Sequence, residues 1–122
     1  MRQLLLVEDD FIVAMDTSGA LREAGYGVVH AQDAASAMDA VSSTRFAALI
    51  TDVNLGAGVN GFAIAHQWRA LHPGKPVIFL TGEGPVACSA AGVAQSEWMG
   101  KPFDCVRLLK MLAQVLDPTP LH

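Results

Sequence analysis

Basic residues are scarce in this chain of 122 residues, with eight Lys and Arg against twelve Asp and Glu. They are scattered, and no run of them forms. A nucleic-acid surface needs clustered cations on its phosphate contacts. A net charge of −4 and a pI near 5.4 therefore exclude nucleic acid as an expected partner. Cysteine is nearly absent. Cys88 and Cys105 are too few for a disulfide framework or a zinc site, and two reduced thiols are expected. No apolar run approaches the roughly 20 residues of a membrane span. Met1-Arg2 leads straight into a strand-like run, without the apolar core of a signal peptide. The sequence points away from the membrane and towards the cytoplasm. With 52% hydrophobic and only 16% charged residues, it is also the opposite of a disordered chain.

What is present is one domain's worth of short apolar strands alternating with amphipathic stretches. That alternation predicts βαβ units and an α/β fold with a parallel sheet. The first strand spans Gln3 to Val7, and a helix follows from Asp10 to Ala24 with Phe11, Ile12, Met15 and Leu21 among its apolar positions. Gly25-Tyr26-Gly27 stops it. Val28 to Ala31 reads as a second strand at the sheet edge. Asp33 caps a helix in which Ala34, Ala37, Met38 and Val41 recur at buried-face spacing. The next strand ends at Asp52, before a glycine-rich loop from Asn54 to Gly61. A helix then runs to Leu71, burying Ile64, Trp68 and Leu71, and His72-Pro73-Gly74 ends it. A short or loose helix is expected within Gly82 to Glu97, where amphipathic contrast is low. The short run from Trp98 to Gly100 supplies the last strand, and Asp104 to Leu116 the last helix. No linker marks a second domain, so residues 1–122 read as a single unit. His30, His66 and His72 offer no ligand spacing, and surface positions are expected for them.

Four apolar runs end in chemically active residues: Glu8-Asp9-Asp10, Thr51-Asp52, Thr81-Gly82 and Lys101-Pro102-Phe103. Beyond the carboxyl ends of parallel strands lies the crevice in which such sheets bind ligands. Three carboxylates meeting there would repel, raising at least one pKa unless a cation joins them. Mg²⁺ suits that need, since it takes carboxylates, waters and a substrate phosphate. Glu8, Asp9 and Asp52 are the candidate metal ligands, with the Asn54 carbonyl as a fourth. Asp10 reads better as the cap of the first helix, and Asp9 serves both roles. Asp52, at the end of an apolar strand, is placed to act as a nucleophile on a phosphoryl group. Lys101 offers a fixed charge to that group, worth roughly 4 kcal/mol at about 4 Å and an effective dielectric near 20. Thr81 offers a hydroxyl.

Leu6-Val7-Glu8-Asp9-Asp10, Thr51-Asp52-Val53-Asn54, Phe79-Leu80-Thr81-Gly82 and Lys101-Pro102-Phe103, in that order and spacing, resemble the receiver domain of two-component response regulators over the whole chain. The resemblance implies a flavodoxin-like, doubly wound five-stranded parallel sheet of order 2-1-3-4-5. It implies that Asp52 accepts phosphate from a histidine kinase or histidine phosphotransfer protein, with Mg²⁺ on Glu8, Asp9, Asp52 and the Asn54 carbonyl. Thr81 and Lys101 would hold the phosphoryl group, Lys101-Pro102 would be a cis bond, and an unknown downstream protein would read the switch. Trp98 stands where the family places a Tyr or Phe switch residue just before the last strand. The segment from Thr81 to Lys101 is a little short, and Gly56 replaces a common proline. Asn54 and Glu83 occupy positions that tune dephosphorylation and imply a fairly short-lived phosphoryl group.

Such a chain would not turn over external substrates; it would phosphorylate and dephosphorylate only itself. After the last helix only Asp117 to His122 remain, so no output domain is expected. A metal-dependent phosphohydrolase is the main alternative, and it would need a second acid where Asn54 stands. A flavin-binding module would need a hydroxyl-rich phosphate loop in place of the three acids. A degenerate receiver that binds partners without phosphorylation is the remaining one.

Overall fold

The structure, a computed structural model, describes residues 2–53, 55, 61–82, 96–101 and 103–117. Its elements in chain order are β1 (Gln3–Val7), α1 (Phe11–Glu23), β2 (Gly27–Ala31), α2 (Ala34–Ser43), β3 (Ala48–Asp52), α3 (Gly61–Leu71), β4 (Val77–Thr81), β5 (Ser96–Gly100) and α4 (Cys105–Leu116). All strand pairs are parallel, and the order is β2-β1-β3-β4-β5. That is the doubly wound, flavodoxin-like order the resemblance implies.

The near-continuous apolar strands are explained by burial on both faces. Alternate side chains of β1, β3 and β4 divide between two cores. Leu5, Val7, Leu49, Val77 and Phe79 pack with Ala37 and Val41 of α2 and Ile64, Ala65 and Trp68 of α3. Leu4, Leu6, Ala48, Ile50, Ile78 and Leu80 pack with Leu21 of α1 and Leu108 and Leu112 of α4. Within β3 this alternation sends Thr51 towards α3 and Asp52 towards α1 and α4.

Helix ends follow the caps. Asp10 accepts from the N–H groups of Ile12 and Val13, Asp33 from Ser36, and Asp104 from Val106. Gly25 takes φ of 102° after α1, the left-handed conformation that ends a helix most cheaply with glycine.

Several expectations need correction. Leu71 is not buried but 48% exposed. It is the last residue of α3, and His72 instead packs against Trp68, ring centroids 4.5 Å apart and planes tilted by 38°. His72 and His30 are half-buried rather than on the surface, each hydrogen-bonded to a backbone carbonyl. Phe11, Ile12 and Met15 are exposed on α1, because the run from Phe11 to Met15 offers more apolar positions than one helix face can bury. β5 begins at Ser96, two residues earlier than expected. Of the expected helix in residues 82–97, the stretch 83–95 lies outside the described residues, as does Cys88.

Candidate functional site

The site is assembled at the carboxyl ends of β1, β3, β4 and β5. Glu8 follows β1 directly, and its N–H donates to the Ala31 carbonyl at 3.2 Å, which prolongs the sheet by one residue. Its own carbonyl pairs with His30 Nε2 at 2.8 Å, and Oε1 accepts from the Asp10 N–H at 3.2 Å. Glu8 is therefore fixed in main chain and side chain, and it is only 1% exposed. Asp52 is the final residue of β3 and 6% exposed. The Lys101 N–H donates to the Thr81 carbonyl at 2.8 Å, which places the lysine just past β5.

From there Lys101 Nζ reaches Asp52 Oδ2 at 2.8 Å and Glu8 Oε2 at 3.1 Å. One carboxylate oxygen from each of Glu8, Asp9 and Asp52 lies within 4.8 Å of the others. Burial pushes the Glu8 carboxyl above its ordinary value, and the Asp52 charge adds to this, against the pull of Lys101. Burial works against the Lys101 ammonium, but its hydrogen bonds to Asp52 and Glu8 outweigh that and raise its pKa. Three carboxylates still face one lysine. An all-oxygen donor set with surplus negative charge is what a hard divalent cation binds, and the residues present fit Mg²⁺.

A family model for the response regulator receiver domain matches residues 4–113. The chain belongs to that family. Receiver domains are phosphoacceptors of two-component signalling and bind Mg²⁺. Among curated relatives, the response regulator receiver protein CpdR of Brucella abortus is 29% identical over 118 residues, covering 95% of this chain and 98% of CpdR. The transcriptional regulatory protein FixJ of Bradyrhizobium diazoefficiens is 26% identical over 115 residues, covering 93% of this chain but only 56% of FixJ. The chain thus spans little more than half of some of its relatives. The solved structure of the chemotaxis response regulator CheY4 of Vibrio cholerae superposes with a TM-score of 0.85 at 31% identity, over 94% of this chain and 98% of CheY4.

In this receiver, Glu8, Asp9, Asp52 and Lys101 come together as the sequence suggests. Thr81 ends β4 one residue beyond Leu80, the register partner of Asp52, and is buried. Trp98 is not ahead of the last strand but in the middle of β5, 37% exposed and paired with Phe79. A Cβ built on Gly100 would lie 3.9 Å from both Trp98 Cζ3 and the Thr81 carbonyl oxygen, so the indole extends along β5 towards the level of Thr81. Asn54, Glu83 and Pro102 lie outside the described residues. Asp10 is the cap of α1. Sequence reading gives His30 no place at the site and Gly61 only the end of a glycine-rich loop. The structure sets the His30 ring against the Glu8 carbonyl and Gly61 against the Asp52 main chain, contacts made only in the folded sheet.

Proposed function

We propose that residues 1–122 form a single receiver domain that takes a phosphoryl group onto Asp52 from a phosphohistidine of a histidine kinase or phosphotransfer protein, then signals to a downstream protein. The observation that carries this reading is the convergence on Asp52: Lys101 Nζ 2.8 Å away, with Glu8 and Asp9 supplying the other two carboxylates of the cluster. An Asp52 oxygen attacks phosphorus, the new O–P bond forms as the P–N bond breaks, and the donor imidazole nitrogen leaves and is protonated. Glu8, Asp9 and Asp52 would hold Mg²⁺, together with the Asn54 carbonyl. When bound, the metal supplies charge neutralisation at the phosphoryl oxygens. Lys101 and the Thr81 hydroxyl receive those oxygens afterwards, and Thr81 with Trp98, Lys101 and Pro102 passes the change on.

A donor protein must bring its phosphohistidine over a nearly buried aspartate, so it has to land on the rim of the site. That rim is apolar. Phe11, Ile12 and Met15 of α1 and Val106 of α4 are all exposed there. A cavity of about 500 Å³, lined among others by Thr17, Lys101, Phe103 and Cys105, opens between the two helices. The cytoplasm is its proposed setting, in keeping with the response regulator family. Among the described residues, no helix is long and apolar enough to cross a membrane. Its chemistry is confined to forming and losing its own aspartyl phosphate.

The test is incubation with a small acyl phosphate and Mg²⁺, read by intact mass. Wild type is expected to gain one phosphate and Asp52→Ala none. A phosphate retained by Asp52→Ala, or multiple turnover of ordinary phosphomonoesters, would overturn the assignment.

A further inference from the structure

We propose that Thr51 and Gly61 are positioning residues for the phosphoacceptor, seating the Asp52 main chain from the opposite face of the sheet. This rests on Asp52 being the phosphoacceptor. Thr51 is fully buried, and its Oγ1 donates to the Asp52 carbonyl at 3.0 Å. Gly61, the first residue of α3, donates its N–H to the Val53 carbonyl at 2.8 Å, which draws the start of the helix onto the end of β3. A Cβ at Gly61 would overlap the Asp52 carbonyl oxygen, and it would lie 2.9 Å from Thr51 Oγ1 and 3.1 Å from the Asp52 carbonyl carbon. Neither neighbour is the free end of a flexible side chain. One is strand backbone and the other a fully buried hydroxyl.

The requirement for glycine here is spatial. Gly25 and Gly74 have positive φ, whereas Gly61 does not, so no left-handed backbone demands it. Admitting a methyl group forces one of two movements. Either α3 lifts and gives up its bond to Val53, or the Asp52 peptide slides. The second carries the carboxylate with it, away from Lys101 and out of line with the phosphorus. Misplacement by about 1 Å costs on the order of a hundredfold in such reactions.

The experiment measures initial phosphorylation rates against the concentration of a small acyl phosphate in Mg²⁺, alongside thermal unfolding. Gly61→Ala is expected to lower the maximal rate about a hundredfold while the half-saturating donor concentration changes less than about threefold. Unfolding should show it folded at the assay temperature. Thr51→Val keeps the shape and removes the hydroxyl; its rate should fall about tenfold, and Thr51→Ser should recover most of the loss. A merely structural glycine would lower the melting temperature and leave the rate of the folded protein alone. Wild-type rates in folded Gly61→Ala would overturn the proposal, and so would equal rates for Thr51→Val and wild type. Should Gly61→Ala fail to fold, the Thr51 pair decides. A wild type that takes no phosphate would overturn the proposed function itself, and this inference with it.

Discussion

Without Lys101, the Glu8 carboxylate would keep its burial and lose its nearest cation. Removing one partner of a buried pair costs more than the pair was worth, because the remaining charge stays desolvated. Lys101 is partly solvated, so the loss for Lys101→Ala should be about 2 kcal/mol at pH 7 in the presence of a chelator. The pH dependence has a definite sign. Burial already holds the Glu8 carboxyl above its ordinary 4.5, and losing Lys101 raises it further. A group whose folded pKa is raised adds stability fully present below the unfolded value and lost as pH rises through the folded one. The deficit of Lys101→Ala should therefore shrink as the pH falls from 7 towards the ordinary carboxyl value of 4.5. Urea unfolding of both proteins across that range checks it, and a deficit that grows on acidification would contradict it. The acids and the lysine are legible in the sequence because each closes an apolar run. The hydrogen bond from His30 to the Glu8 carbonyl is not, since it joins residues 22 apart across two strands.

The helices divide by how they meet the sheet. α4 has the most sharply segregated apolar stripe, and Leu108 and Leu112 lie fully inside the core it shares with β1, β3 and β4. Leu112→Ala should cost about 3 kcal/mol in urea unfolding, the loss expected where a cavity replaces a buried side chain. A cost below about 1 kcal/mol would mean that the helix settles inward and closes the gap. α1 behaves differently. Leu21 is buried while Phe11, Ile12 and Met15 face outward, so its period marks a helix without fixing which apolar residues turn inward. α3 shows the same limit at its end, where the spacing Ile64, Trp68, Leu71 suggests a continuing buried stripe. The helix stops there and His72 takes the place against Trp68.

In the molecule as a whole, the two tryptophans sit at opposite ends of the sheet's business. Trp68 is buried far from the site, its indole N–H donating to the Lys75 carbonyl at 3.3 Å. Trp98 lies on β5, half-open to solvent and directed towards the level of Thr81. If phosphorylation at Asp52 moves Thr81, the indole N–H resonance of Trp98 should shift while that of Trp68 stays. Two-dimensional NMR before and after treatment with a small phosphodonor reads both at once. An unmoved Trp98 resonance in a fully phosphorylated sample would remove this residue from the switch.

By itself the sequence determined the class of fold, the strands and most helix ends, because these depend on local period, caps and glycines. It also determined which side chains carry chemistry, since acids, a hydroxyl and a lysine stand out against apolar runs. Only the tertiary structure decided which face each residue takes and how closely main chains approach. The exposure of Ile12, the packing of His72 and the seat that Gly61 leaves for the Asp52 carbonyl arise from contacts between distant segments. No short stretch of residues encodes such contacts.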